Sequence, residues 1–377
     1  MIYRFLEKLI SKKLSDKKAI IIFGPRQSGK TSLVRKIINE FKQPVLWLNG
    51  DESDTRSDLS HQTAVKLKNL IGNNKTVVID EAQRIENIGL CIKIIVDNIK
   101  DVKIIATGSS SFELANKINE PLTGRKWEYL LFPFSYGELA GHTSPRDERR
   151  SLEHRLVYGY YPEVITSPGE EIKLLKSLSD SYLYKDILTW EDIKKPDKLE
   201  KLVQALAHQI GNEVSYRELG QLVGLDNETV EKYIYFLEKA FVVFRLGTFS
   251  RNLRNELKKT RKIYFYDNGI RNAVINSFNS PGIRNDMGAL WENFMMSERL
   301  KYLQYNQIYC NRYFWRTHAQ QEIDYVEEKD GKLFAFEFKW NKKAKAKFPK
   351  SFLSAYPESE TKLITPENFD EFLLNEK

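Results

Sequence analysis

In the stretch GPRQSGKT, four residues separate Gly24 from Gly29, and Lys30 and Thr31 follow directly. That spacing suits a phosphate-binding loop. Small residues let main-chain N–H groups close around an anion, the lysine reaches the outer phosphates, and the threonine hydroxyl ligates Mg2+. Gly24, Pro25, Arg26, Gln27, Ser28, Gly29, Lys30, Thr31 and Ser32 are therefore the candidate nucleotide-binding set, with ATP and Mg2+ as the expected ligands. Further along, KTVVIDEAQRI ends an apolar run in Asp80 and Glu81. Acids at such a position suit two tasks, Asp80 completing the magnesium shell and Glu81 polarising an attacking water.

The stretch VKIIATGSSSFEL ends in hydroxyls, and Ser109 or Ser110 either senses the γ-phosphate or caps the next helix. Arg125, after the glycine of LTGRKW, either stabilises charge in phosphoryl transfer or forms a structural ion pair. Asp51 follows the strand-like VLWLNG and is expected near the same sheet edge.

A second set of chemistry-bearing residues lies near the C-terminus. IDYVEEK and KLFAFEFKW flank Asp330-Gly331, a strong two-residue hairpin signal. With that loop, Val326 faces Ala335 and Asp324 faces Glu337. Alternation puts Leu333, Ala335, Glu337 and Lys339 on one face, expected to be a site, and Phe334, Phe336, Phe338 and Trp340 on the other, expected to be core. Like charges opposite one another destabilise a sheet, so Asp324 and Glu337 call for a cation such as Mg2+, with Lys339 placed to orient water or stabilise developing negative charge. A shift of one residue in register removes this pairing.

The elements that must carry these residues follow from periodicity. AIIIF reads as a buried strand and TSLVRKII as a helix with Leu33, Val34, Ile37 and Ile38 on its apolar side. The runs before Asp80 and Thr107 suit central strands of a parallel sheet, buried on both faces. In the middle, EIKLLKSLSDSYLYKDIL has helical spacing. In SYRELGQLVGLDNETVEKYIYFLEKAFVVFRL, Ser215 and Glu218 fit a capping box, Gly224 ends the helix, and Asp226 caps a second one. Helix, turn, helix and a β-rich wing from Val242 suggest a winged helix. The second helix begins with Asp226, Glu228 and Glu231, so a structural or protein-contacting role suits it better than reading of bases.

The chain has 377 residues and a net charge of +8, enough for several domains. Residues 251–350 hold 20 Lys or Arg against 11 Asp or Glu, so the basic surplus belongs to the C-terminal region. Either a nucleic-acid partner or a solvated charged face accounts for it. Arg251, Arg254, Lys258, Lys259, Arg261 and Lys262 make SRNLRNELKKTRK either a candidate edge of that footprint or a charged connector between domains. Cys91 and Cys310 give neither a disulfide framework nor a zinc site, and His154 and His208 are isolated. No apolar run reaches the roughly 20 residues of a membrane helix, and the N-terminal MIYRFLEKLISKK reads as an amphipathic helix rather than a leader. A cytoplasmic protein without membrane contact is expected, with a homo-oligomer or protein partner left open.

The motifs GPRQSGKT, VVIDEAQRI, ATGSSSFEL, LTGRKWEYLLFPFSYGEL, TVEKYIYFLEKAFVVFRL, KIYFYDNGIRN, and EIDYV with FEFKW span nearly the whole chain. Together they resemble the bacterial and archaeal AAA-type ATPases in which a winged helix joins a P-loop domain to a C-terminal domain of unknown function related to PD-(D/E)XK nucleases. The resemblance implies an α/β fold: a P-loop parallel sheet at 1–140, a helical lid at 141–205, a winged helix at 206–250 and a restriction-endonuclease-like domain at 251–377. It implies metal ligands at Asp324 and Glu337, a catalytic lysine at Lys339 and a helical glutamate at Glu292. The activity it implies is ATP hydrolysis gating a nuclease-like, nucleic-acid-binding module, or else a non-cleaving switch that controls a protein partner.

Overall fold

The computed structural model describes residues 2–40, 43–60, 62–109, 122–181, 193, 195–250, 261–345 and 347–374. It divides into two compact units. The first comprises Met1–Phe134 with Lys239–Phe241, and the second Ser135–Glu238 with Val242–Lys377.

In the first unit five strands, β1 (Ala19–Phe23), β2 (Val45–Asn49), β3 (Thr76–Asp80), β4 (Lys103–Gly108) and β5 (Lys126–Leu130), form a parallel sheet in the order β2-β3-β4-β1-β5. Every residue of β1 and β3 is buried, as their unbroken apolar runs require. From β1 the chain crosses to the far edge at β2, returns through β3 and β4, and adds β5 on the other side. The carboxyl ends of β1, β3 and β4 thus open on the edge where the connection reverses, the usual place for a ligand crevice in such sheets.

The turn out of β1 depends on Gly24, where φ is +153° and a Cβ would stand 2.1 Å from the Leu131 carbonyl oxygen. Gly29, at φ +93°, opens helix α2 (Lys30–Asn39), whose Leu33, Val34 and Ile37 are buried. The N-terminal amphipathic segment forms the helix α1 (Phe5–Ser11). Its Leu6 and Ile10 are buried, and its Glu7 pairs with Lys36 of α2 at 2.7 Å.

In the second unit seven strands run in the order β12-β11-β10-β9-β7-β8-β6. They are β6 (Glu213–Val214), β7 (Val243–Thr248), β8 (Arg261–Phe265), β9 (Asn311–Arg316), β10 (Glu322–Lys329), β11 (Lys332–Phe338) and β12 (Glu360–Ile364). The helices Tyr216–Val223 and Asn227–Lys239 precede β7. Ser215 caps the first by accepting from the Glu218 N–H, Gly224 ends it in a left-handed conformation, and Asp226 accepts from the Thr229 N–H at 2.8 Å.

The boundary expected at 250/251 does not separate two bodies. β7 pairs with β8 on one side and runs parallel to β9 on the other, with Gly247 opposite Tyr313 and Thr248 opposite Phe314. Main-chain hydrogen bonding therefore carries one sheet from the helical region into the C-terminal strands.

The β10–β11 hairpin has the register that a two-residue loop demands. Asp330 and Gly331 sit at φ +51° and +78°, and Val326 faces Ala335. The expected division of its faces needs correction. Leu333 and Ala335, placed on the site face, are buried in a cluster with Phe249, Trp315, Ile323, Val326 and Phe352. On the other face Phe336 and Phe338 pack with Tyr325 and Phe372, as expected of core. Both faces are covered over the middle of the hairpin, and just past the end of β11 the exposed Lys339 stands beside the buried Asp324 and Glu337.

Candidate functional sites

At the first site, Lys30 is buried and its Nζ donates to the carbonyls of Gly24 and Pro25 at 2.9 and 2.8 Å. Thr31 Oγ1 donates to Asp80 Oδ2 at 2.9 Å, while Thr107 Oγ1 donates to the other Asp80 oxygen. β4 separates β1 from β3, so the Thr107 hydroxyl at the end of β4 fills the gap between the loop and the acid. Gly50 is required beside them, since a Cβ there would stand 2.4 Å from the Glu81 carbonyl oxygen.

Glu81 takes a left-handed φ of +49°, and its N–H donates to Thr107 Oγ1 at 3.4 Å. Its carboxylate accepts from Gln83 Nε2 at 2.6 Å, and the same amide nitrogen donates to Ser109 Oγ at 3.0 Å. Lys30, Thr31, Asp80, Glu81 and Ser109 thus gather at one sheet edge with Pro25, Arg26, Gln27, Ser28 and Ser32 of the loop and α2. Ser110 and Ser111 lie outside the described residues.

The residues fit a Mg-chelated triphosphate on two counts. The Ser28 hydroxyl is buried in the loop with no partner among the described residues, and Thr31 and Asp80 converge as a hydroxyl–carboxylate pair. Among the described residues no group of three or more His, Cys, Asp or Glu side chains converges as a metal site. Mg2+ asks for less: it takes one or two protein carboxylates and completes its shell with water and phosphate oxygen.

Arg125 does not join this group. It precedes the residue paired with Ala19, at the opposite end of β1 from the loop, where its Nε donates to Asp97 at 2.7 Å. With β1 five residues long, roughly 16 Å of strand separates it from the loop of its own chain. The structural ion pair is the alternative that the geometry favours. Asp51 follows β2 at the expected edge and pairs with Arg84 at 2.6 Å.

The second candidate site lies at one edge of the seven-stranded sheet, where β9 and β11 end and β8 and β10 begin. The regular pairing of β10 with β11 runs from Lys329 opposite Lys332 to Tyr325 opposite Phe336. Beyond it the Phe338 N–H donates to Asp324 Oδ2 at 2.8 Å, and Lys339 Nζ stands 2.8 Å from Glu337 and 3.4 Å from Asp324. Asp324 and Glu337 are both buried residues. Burial, then the neighbouring Asp324, pushes the Glu337 carboxyl up to about 7, with Lys339 opposing them. Burial works against the charge of Lys339, but Asp324 and Glu337 hold its pKa above the ordinary lysine value.

Glu292 reaches the same edge from the helix Met287–Tyr305. It accepts from Lys262 Nζ at 3.0 Å and from the Tyr264 hydroxyl at 2.7 Å, and burial raises its pKa while Lys262 opposes the rise. Lys262 also meets Glu322 at 2.5 Å, and Arg316 joins Glu322 to Glu213 at 3.2 and 3.3 Å. Lys262 is only 1% exposed and serves this internal network, so it leaves the basic footprint proposed from sequence. Arg261 stands 4.0 Å from Glu231, and Arg251, Arg254, Lys258 and Lys259 lie outside the described residues.

Because the folded pKa of Glu337 lies above the carboxylate's unfolded value, the native state holds the extra proton between the two. Its contribution to stability therefore falls as pH rises from about 4.5 to about 7 and is flat above. Asp324→Asn removes a neighbouring charge, so the melting temperature of the wild type should fall relative to that of the variant across this interval. Parallel curves would contradict the coupling.

The sequence passed over Thr107 as a ligand to Asp80, Gln83 between Glu81 and Ser109, and Lys262 as an internal cation. Only the first had a visible signal, a hydroxyl at a strand's carboxyl end. His154 pairs with Glu171 at 3.3 Å, burial lowering its pKa, and His208 ends the helix Pro196–His208.

A parallel sheet, a glycine-bounded loop opening a helix, and a hydroxyl–acid pair across the next strand define a P-loop nucleotide-binding domain. Residues 16–140 match the family described as AAA domain, 149–280 a domain of unknown function (DUF8612), and 287–374 a second one (DUF4143). The front of the chain is thus supported as an AAA-type ATPase domain. The other two family regions divide the seven-stranded sheet between them, β6–β8 in one and β9–β12 in the other.

An uncharacterized protein of Mycobacterium tuberculosis is 26% identical over 326 residues, covering 85% of this chain and 70% of that protein. One of Methanocaldococcus jannaschii is 24% identical over 270 residues, 66% of this chain and 60% of its own length. Among solved structures, the Walker-type ATPase of Pyrococcus abyssi aligns with 73% of this chain and 96% of its own, at a TM-score of 0.50 and 16% identity, a likeness of fold alone. No helix among the described residues is long and apolar enough to cross a membrane.

Proposed function

We propose that the chain is a Mg2+-dependent ATPase whose nucleotide state governs a C-terminal nuclease-like module. The observation that carries the first part is the convergence of Lys30, Thr31 and Asp80 on one glycine-bounded loop. In this reading loop amides bind the phosphates, Lys30 leaves the loop carbonyls for the outer phosphates, and Thr31 and Asp80 hold the metal. Magnesium supplies charge neutralisation across the phosphate oxygens. Glu81 aligns the attacking water, with Gln83 fixing its carboxylate and Ser109 beside it.

For the second part, Asp324, Glu337 and Lys339 at the sheet edge support a nuclease-like site with Glu292 behind it, and the helices before β7 with β6, β8 and β7 are read as a winged helix. Nucleic acid is the proposed partner of the 251–350 region. A non-cleaving switch that contacts a protein is the second reading, favoured by Lys339 and Lys262 already neutralising the acids at that edge.

The test combines phosphate release from ATP with cleavage of labelled DNA and RNA in Mg2+ or Mn2+. Glu81→Gln should slow ATP turnover by about 100-fold while ATP still binds. Asp324→Ala should abolish any cleavage and leave turnover intact. Turnover unchanged in Glu81→Gln would sink the assignment of Glu81. Absence of cleavage by the wild type, with ATP-dependent capture of a protein, would favour the switch.

A further inference from the structure

Arg4 lies outside the residues matched to the AAA family, and no motif of the phosphate loop calls for it. Its side chain is nevertheless buried against that loop. Nη1 donates to the Ser28 carbonyl at 2.8 Å, Nη2 donates to the Phe132 carbonyl at 2.6 Å, and the guanidinium stacks 4.7 Å from the centre of the Phe134 ring. A Cβ on Gly29 would lie 3.6 Å from Nη1. The backbone that presents Arg4 is itself anchored, because α1 follows immediately with Leu6 and Ile10 buried and Glu7 bonded to Lys36 of α2.

The Ser28 carbonyl and the Gly29 N–H belong to one peptide unit. That unit is planar and trans, so its C=O and N–H point in opposite directions. A donor that fixes the carbonyl therefore fixes the direction of the amide. An anion-binding loop requires its amides turned inward and its carbonyls outward, and each outward carbonyl repels phosphate if it swings back. A planar guanidinium with two bonded partners and a ring beneath it has one orientation, which a flexible ammonium lacks.

We propose that Arg4 is a positioning residue for the nucleotide site. It holds the Ser28–Gly29 peptide plane so that the Gly29 N–H is aimed at phosphate before ligand arrives, and it uses Phe132 and Phe134 as the fixed side of the clamp. The inference rests on the nucleotide-binding reading of the loop and goes beyond it, since it assigns the pre-organisation of that loop to a residue upstream of the domain.

The experiment measures affinity for Mg-ATP and for inorganic tripolyphosphate by calorimetry, with KM and kcat, in the full-length wild type, Arg4→Gln, Arg4→Lys and Arg4→Ala. Arg4→Gln should weaken both ligands about tenfold and raise KM in parallel, with kcat within about twofold, as expected when one charge-assisted contact that orders the site is lost. Arg4→Lys, which keeps the charge and loses the fork, should fall between, and it remains informative if Arg4→Gln fails to fold. Added ethylguanidinium should restore part of the affinity to Arg4→Ala. A purely structural Arg4 would instead lower the melting temperature and leave both affinities of the folded protein unchanged, which overturns the proposal. So does a loss confined to ATP and absent for tripolyphosphate. A wild type that binds neither ligand overturns the nucleotide-binding reading itself and this inference with it.

Discussion

Lys30→Met protein should show no rise in melting temperature on adding Mg-ATP and should turn ATP over at least about 100-fold more slowly than the wild type. An ammonium acting on phosphate inside a loop of oriented dipoles commonly supplies a factor of that order. The wild type, held at a ligand concentration about 100 times the dissociation constant, should gain roughly 2.7 kcal/mol from binding. The variant gains none, and the comparison needs no knowledge of what the rest of the chain does. Lys30 also bonds the carbonyls of Gly24 and Pro25, so the ligand-free variant is expected to melt slightly below the wild type. A normal ATP-dependent shift in Lys30→Met would remove the foundation of the proposed function.

The largest expected loss of stability belongs to Arg299 in the helix Met287–Tyr305. Its guanidinium grips Glu327 of β10 with bonds of 2.7 and 2.8 Å, and Nη1 donates to the Phe372 carbonyl at 2.7 Å. Both side chains are almost fully buried. Arg299→Met leaves a carboxylate buried without its cation and should cost about 3–5 kcal/mol. In a unit of this size that is a fall of roughly 10 °C in melting temperature. Arg299→Met combined with Glu327→Leu should recover much of the loss, because two apolar side chains leave no charge to desolvate. A double variant no better than Arg299→Met would show that the Phe372 bond and packing, rather than the stranded charge, set the cost.

The sequence made the first sheet legible because its signals are local. A glycine-bounded loop can work only at a strand-to-helix turn, and an unbroken apolar run before two acids fits a central parallel strand. The hairpin register was legible for the same reason, since Asp330 and Gly331 select the turn and the turn sets every pair from Lys329 and Lys332 onward. What the sequence hid is non-local. Arg4 and Ser28 are 24 residues apart, and a buried arginine in a charged N-terminal segment looks like any solvated one until the Phe132 carbonyl is brought to it.

Lys262 looks like one more surface cation in the sequence because its partners, Glu292 and Glu322, come from a later helix and strand. Arg125 was attractive for its place after a glycine, yet parallel pairing with β1 sends it to the wrong end of the sheet. Alternation predicts which hairpin residues share a face and not whether another element covers it. Phe352, from the short helix Lys350–Ala355, covers the face that looked open.

β7 lends one edge to β8 and the other to β9, and the family regions that contain these strands meet there. A polypeptide that inherited the C-terminal region without the preceding one would present the bare edge of β9, with unpaired amides and carbonyls inviting another chain to add itself. Recombination at that seam would carry a solubility cost, which gives selection a reason to keep the two regions in one polypeptide.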